Sequence, residues 1–378
     1  MSYYSDKKDI FIIGFTPNPR LIKRMKNEST IFDVKAIYWN RGSEMIDNNG
    51  LSGIPFTEII IKAKNNPLKR IIPYLKFRKK AYAYIKKESP DFIHVQGLDM
   101  LSIAIKYQKK HKVKIIYETA DLHRFIIDEQ RNPIYKLLQK ILISKEKQYC
   151  NKIDLLILTS KMYYSTYYYK IVPRDKYIYM PNIPNLECFY KFERKEYNPF
   201  DIYIGFVGII RYKKQIRLLL EAAKATRVKL VFAGYETNGN DIEVFCRDNG
   251  HIWLGAFDYE QDISKIYSMC DAIFSVYDAD MNNCRVALPN KLYESIYCEI
   301  PIIVAKKTYL ADVVNELGIG IAVSHHELND FIYAIESLRN PSEYYKMVDN
   351  CKKNKTIIDL EKYNRLLNER IEAIIDSN

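Results

Sequence analysis

Short apolar runs that end on glycine or polar residues alternate with helix-period segments twice along the chain, and the two series are divided at Pro181-Asn182-Ile183-Pro184. This alternation constrains the fold more than any other feature, because neighbouring parallel strands need a crossover long enough to hold a helix. In the first series the runs fall at residues 10–15, 34–39, 90–97, 113–118, 153–160 and 177–180; in the second they fall at 202–208, 228–233, 252–255, 272–276, 302–305 and 318–323. Helices are expected between them, including a basic one from Arg20, a long one over 133–150, one through Leu218, Leu219, Ala222 and Ala223, and a charged helical stretch over 344–375. Successive prolines at the divide exclude helix and ladder pairing alike. Residues 1–184 therefore read as one Rossmann-like domain, 185–350 as a second, and 351–378 as a helical tail packing back toward the first. The fold class is α/β, two facing Rossmann-like domains with a C-terminal helical tail, and 378 residues suffice for two cores.

In open α/β sheets ligands bind outside the carboxyl ends of the strands. In the first domain those ends carry Thr16, His94 and, after the run at 113–118, Asp121 and His123. A strand-end histidine is either a site residue or a hydrogen-bonded structural one. In the second domain the run ending at Gly208 leads through Ile209-Ile210-Arg211-Tyr212-Lys213-Lys214 into a helix. Arg211 through its fork and Lys214 as a point charge suit a diphosphate; the alternative is a solvated basic turn. Tyr235 and Phe257 follow strand-end glycines closely and either flank a base or plug their loops. Pro289-Asn290-Lys291-Leu292-Tyr293-Glu294 reads as a helix start, and unpaired N–H groups there favour an anion. Glu294, one turn in, either stabilises the helix dipole or clamps the vicinal hydroxyls of a ribose while the preceding amides hold phosphate.

A net charge of +12 implies attraction to anionic partners. Much of it lies in segment 62–87, where lysine and arginine are mixed with Ile71, Ile72, Tyr74, Leu75, Phe77, Tyr82 and Tyr84. That is the composition of a helix resting on lipid headgroups, or of a solvated basic helix. No nucleic-acid recognition module accompanies the charge, so nucleic acid is not expected as a partner. No apolar stretch reaches bilayer length, and residues 1–8 lead into a run too short for a signal segment; a cytoplasmic location follows, with peripheral attachment to the inner face of the membrane through 62–87. The seven cysteines are scattered without a C-x-x-C pair, which suggests neither a disulfide framework nor a zinc site.

Taken together the motifs resemble the GT-B glycosyltransferases and, within them, retaining family 4, which builds bacterial polysaccharides and lipid-linked glycans. The likeness rests on Gly205-Phe206-Val207-Gly208 through Lys214, Phe232-Ala233-Gly234, Leu254-Gly255-Ala256, Cys270-Asp271-Ala272 and Pro289 through Glu294 to Pro301, in that order. Pro181-Asn182-Ile183-Pro184 resembles the interdomain turn, and Asp91-Phe92-Ile93-His94 and Tyr117-Glu118 to Asp121 resemble two N-domain strand ends. The resemblance implies metal-independent, retaining transfer from a UDP- or GDP-linked sugar to a lipid-linked glycan acceptor in surface polysaccharide assembly, with no cofactor. It puts Arg211 and Lys214 on the leaving diphosphate, Asp121 and His94 among the catalytic candidates, and Thr16 and His123 toward the acceptor. Gly208, Tyr235, Phe257, Asn290, Lys291, Leu292 and Glu294 become the donor-binding set. This chain departs from the family pattern at three places: Ile209 stands where an arginine is common, Val286 where a first glutamate precedes Glu294 by eight residues, and Ala120 where a histidine precedes the aspartate. Asp278, Asp280 or the Asn282-Asn283 pair are the substitutes at hand for that glutamate. Two alternatives follow, a catalytically inactive GT-B nucleotide-binding protein and a GT-B-type nucleotide-sugar epimerase.

Overall fold

The computed structural model describes residues 6–42, 51, 53–63, 67–122, 128, 132–237 and 239–377. The chain divides into two compact units, residues 1–181 with 361–378, and residues 182–360. The sequence divisions at 184 and 350 thus differ from the contact divisions by a few residues at the first and ten at the second.

The first unit holds β1 (Lys8–Ile13), β2 (Asp33–Asn40), β3 (Phe56–Ile60), β4 (Phe92–Gln96), β5 (Lys114–Thr119), β6 (Leu155–Leu158) and β7 (Tyr177–Tyr179). They form one parallel sheet in the order β3-β2-β1-β4-β5-β6-β7. β1 and β6 are near-continuous apolar runs, as strands covered on both faces must be. β3 escapes the sequence reading because it is an edge strand with only Ile59 buried, so it shows no long apolar run. The helix Leu360–Asp376 belongs to this unit: Leu367, Ile371 and Ile375, spaced four apart on one face, join the core of Phe11, Leu21, Met25, Phe32 and Ala36. Asn368 Oδ1 accepts a 2.8 Å hydrogen bond from Asn27 Nδ2 beside it.

The second unit holds β8 (Tyr203–Val207), β9 (Lys229–Ala233), β10 (Ile252–Gly255), β11 (Ala272–Ser275), β12 (Ile302–Ala305) and β13 (Gly320–Val323). These are again all parallel, in the order β10-β9-β8-β11-β12-β13. Ile204, Phe206, Leu230, Phe232, Phe274 and Ile303 face Leu219, Ala223, Phe331, Ile335 and Val348 across one core. The helical stretch expected over 344–375 is in fact interrupted. Pro341–Lys353 packs in the second unit through Tyr344, Met347 and Val348, a short 3-10 turn follows at Lys355–Ile358, and the last helix begins at Leu360. The break falls where the chain leaves one hydrophobic core for the other, so two apolar faces must be served by two helix axes. No helix among the described residues is long and apolar enough to cross a membrane.

Candidate active site

In the second sheet the strand order runs outward in opposite directions from β8 and β11, and the loops after these two neighbours diverge to leave a crevice. Gly208 ends β8 and Gly234 ends β9, both with positive φ (120° and 138°). The Gly208 N–H donates to Ala233 O at 2.8 Å, and a Cβ on Gly234 would overlap the Gly208 carbonyl, so only glycine allows these backbones to touch. Lys291, in the first turn of the helix Asn290–Cys298, comes over that floor. Its Nζ donates to Tyr277 Oη at 3.1 Å, lies 5.6 Å from the centre of the Phe206 ring, and is 3.6 Å from where a Cβ on Gly208 would stand. Ring faces and a phenol therefore hold an ammonium group at the switch point, with no carboxylate paired to it among the described residues.

The start of the same helix departs from what its sequence suggests. Pro289 occupies the cap position and offers no side-chain acceptor, which leaves first-turn N–H groups for a ligand. Asn290 does not cap; its Oδ1 accepts from Asn182 Nδ2 at 3.0 Å. The Leu292 amide, expected on phosphate, already donates to Pro289 O at 3.1 Å, and the Leu292 side chain is buried. Glu294 is buried too, and each carboxylate oxygen accepts a phenol: Tyr259 at 2.7 Å on one, Tyr267 on the other. Both tyrosines come from one face of the helix Tyr259–Ser268, eight residues apart. Burial, reinforced by the Glu294 charge, raises both phenol pKa values, so they remain donors.

The basic loop after β8 separates its two lysines. Lys213 is tied to Glu236 at 2.7 Å and to Asp241, while Glu236 Oε1 accepts the Ile242 and Glu243 N–H groups at 2.8 and 3.1 Å. Lys214 is exposed and its Nζ lies 3.2 Å from His326 Nδ1. Arg211 is exposed and makes no ion pair among the described residues. The helix Lys213–Thr226 that follows has no side-chain cap either. Tyr235 is 53% exposed and Phe257 half-buried in the loops after β9 and β10. After β11, Asp278 and Asp280 face His325 and His326 from the loop after β13; the His326 hydrogen bond holds the Asp280 carboxyl below its usual range.

In the first unit His94 does not face a ligand. It pairs opposite Phe11 in the sheet, stacks on that ring at 4.2 Å, and is wholly buried between Glu28 (Nδ1 to Oε2, 3.4 Å) and Glu118 (Nε2 to Oε2, 3.0 Å). Glu118 also pairs with Arg20 and, at 3.4 Å, with Arg24. Burial lowers these guanidinium pKa values to about 9 and about 10, so both stay charged at neutral pH. Burial, then the Glu28 charge, raises Asp9 well above an ordinary carboxyl. Burial lowers the His94 pKa as well, so burial favours the neutral forms of both Asp9 and His94 beside the two guanidinium groups.

Of the other first-unit candidates, Asp121 is exposed and accepts from Tyr163 Oη at 3.3 Å, while Thr16 has a buried hydroxyl without a hydrogen-bond partner among the described residues. His123 lies outside the described residues.

The Asp9 assignment makes a pH prediction. Because its pKa is higher folded than unfolded, its contribution to stability is complete below the ordinary carboxyl range, near pH 4, and is lost as pH rises through the folded value. Asp9→Asn, a neutral isostere, is therefore expected to match or exceed the native unfolding midpoint at pH 7, with the difference closing toward pH 4. A loss of about 3–5 kcal/mol at pH 7, as when a buried ion pair is broken, would instead mean that Asp9 is ionised.

Residues 190–356 match the family model described as glycosyl transferases group 1. That stretch lies within the second unit. No curated protein matches the chain in sequence. Among solved structures, it is similar to sucrose-phosphate synthase from Thermosynechococcus elongatus (TM-score 0.71, 14% identity, 98% of this chain and 100% of that one). It is also similar to HepE from Anabaena in complex with UDP (TM-score 0.70, 12% identity, 97% and 100%) and to the lipopolysaccharide outer core galactosyltransferase WaaB (TM-score 0.67, 14% identity, 97% and 99%). At these identities the likeness is one of fold, the two-domain GT-B architecture.

Within the second unit the sequence reading located Gly208, Lys214, Lys291 and Glu294 but missed their partners Tyr277, Tyr259, Tyr267 and His326. One signal was present for the last of these: Ser324-His325-His326 directly follows a strand, where polar residues gather at ligand sites.

Proposed function

We propose that the protein is a retaining glycosyltransferase that moves a sugar from a UDP- or GDP-linked donor to a lipid-linked glycan of a surface polysaccharide. The observation that carries this reading is the Lys291 ammonium, held without a carboxylate partner over Gly208 at the switch point of a group 1 glycosyltransferase domain. HepE, similar in fold, is described in complex with UDP, and WaaB as a lipopolysaccharide galactosyltransferase. In the step, the bond from the anomeric carbon to the diphosphate oxygen breaks, a bond to the acceptor oxygen forms on the same face, and the acceptor proton leaves with the diphosphate. Charge builds on that leaving oxygen, and fixed cations aimed there supply the main catalytic term. We assign this to Lys291, Lys214 and Arg211, side chains rather than a metal ion. Glu294 takes the ribose by accepting beyond, or in place of, its Tyr259 bond, since each carboxylate oxygen has a second lone pair. We assign the acceptor to the first unit, with Asp121 and Thr16 as its candidates; buried His94 is left out.

The first unit also offers a surface suited to an anionic leaflet. The helix Pro67–Glu88 buries Phe77, Ala81 and Ile85, which corrects the lipid-facing place given to Phe77, and exposes Ile71, Ile72 and Leu75 among Lys76, Lys79 and Lys80. The helix Pro133–Cys150 exposes Ile134, Leu137, Leu138 and Ile141, and both helices pack on Leu98–Gln108. Exposed apolar side chains beside lysines are what an interfacial surface requires.

The test is transfer from radiolabelled nucleotide sugars to a lipid-linked acceptor in anionic and neutral vesicles. The expected result is a lipid-extractable product of retained anomeric configuration, formed faster on anionic vesicles and reduced in Glu294→Gln. Turnover of no nucleotide sugar, with nucleotide binding intact, would sink the proposal in favour of a binding protein, the reading that Val286 and Ala120 motivate. A changed nucleotide sugar without acceptor would indicate an epimerase.

A further inference from the structure

We propose that Asp280, His325 and His326 form a binding site for a divalent transition-metal ion such as zinc, with the Asp278 carboxylate beside His325. Two loops far apart in sequence bring these groups together at the carboxyl ends of β11 and β13. His326 Nε2 lies 3.0 Å from Asp280 Oδ2, His325 Nε2 lies 3.6 Å from the same oxygen, and His325 Nε2 lies 3.5 Å from Asp278 Oδ1. Ligands bonded at 2.0–2.1 Å around a tetrahedral ion stand about 3.3–3.4 Å from one another, so these separations fit a shared central ion. The two His325 distances are long for hydrogen bonds.

The independent observation is His325 itself. Its side chain is 8% exposed, its Nε2 has no hydrogen-bond partner among the described residues, and that nitrogen is aimed at both carboxylates. A buried polar atom left unpaired is costly, and a metal ion would complete it. Its backbone is fixed by Gln215, whose Nε2 donates to the His325 carbonyl at 3.2 Å. Imidazole nitrogens and carboxylates are among the donors zinc takes, and the three groups join two loops around one ion.

Lys214 reports on occupancy. Its Nζ now lies 3.2 Å from His326 Nδ1. A metal on Nε2 turns Nδ1 into an N–H donor, which an ammonium group cannot accept, so the ion and the Lys214 contact exclude each other. Resting on the function proposed above, binding would free Lys214 for the donor diphosphate.

The test is titration of the full untagged chain with Co2+ followed by visible ligand-field absorption, with Zn2+ competition, and with the unfolding midpoint of each metal-free variant confirming the fold. One Co2+ per chain in a four-coordinate spectrum is expected, displaced by Zn2+. His325→Gln and His326→Gln should each weaken binding by more than the roughly 10–100-fold that loss of an outer-shell partner costs. Lys214→Gln should tighten it, because the new amide oxygen can accept from Nδ1–H. If His325→Gln does not fold, Asp280→Asn on the exposed loop serves in its place. Absence of saturable binding would overturn the proposal, leaving a histidine–aspartate ion-pair cluster. Binding unchanged in these variants would equally overturn it, and would point to the Asp9, Glu28 and His94 group.

Discussion

Lys291→Ala is expected to lower sugar transfer by about 10²–10³-fold, the loss seen when one preorganised donor to a developing oxyanion is removed. The ammonium lies at the crevice between β8 and β11, oriented by the Tyr277 hydroxyl at 3.1 Å and two ring faces. It balances no carboxylate among the described residues, so its removal strands no buried charge, and the unfolding midpoint should change little. A group that acts on the leaving diphosphate must lower kcat together with kcat/KM, whereas one that only binds the donor raises KM alone. Lys291→Arg keeps the charge but not the compact geometry, and an intermediate rate is expected. Steady-state kinetics of the three proteins decide the matter. An alanine variant with native kcat would remove Lys291 from the mechanism.

Glu118→Ala is expected to destabilise the first unit by about 3–5 kcal/mol, the cost of removing one partner from a buried ion pair. Glu118 is fully buried and is shared by Arg20, Arg24 and His94, so its loss leaves two guanidinium groups with one carboxylate, Glu28, nearby. Glu118→Gln keeps an acceptor but loses the charge and should fall between. Urea unfolding monitored in the first unit is the measurement. A loss below about 1 kcal/mol, the scale of an exposed ion pair, would show that water reaches the cluster.

How much of this was legible beforehand depends on distance along the chain. β4, β5, β9 and β12 announced themselves as apolar runs, and the helix Pro133–Cys150 was expected over the same residues, because periodicity is a property of neighbouring residues. β3 was not announced, since an edge strand needs apolar residues on one face only. His94 reads from sequence as a strand-end polar group, yet it sits within the sheet between two glutamates that no local pattern links to it.

Pro289 through Glu294 shows the same division most sharply. The sequence by itself determined a helix start at the end of a parallel-sheet unit, with a lysine in its first turn and a glutamate behind it, because proline, helical spacing and the following strand are all local. Only the tertiary structure decided what those side chains meet. Glu294 is enclosed by tyrosines 35 and 27 residues away, and Asp280 by a histidine 46 residues away. Such contacts depend on how crossovers stack strands that are distant in the chain, and side-chain chemistry is settled by the groups brought within hydrogen-bond reach.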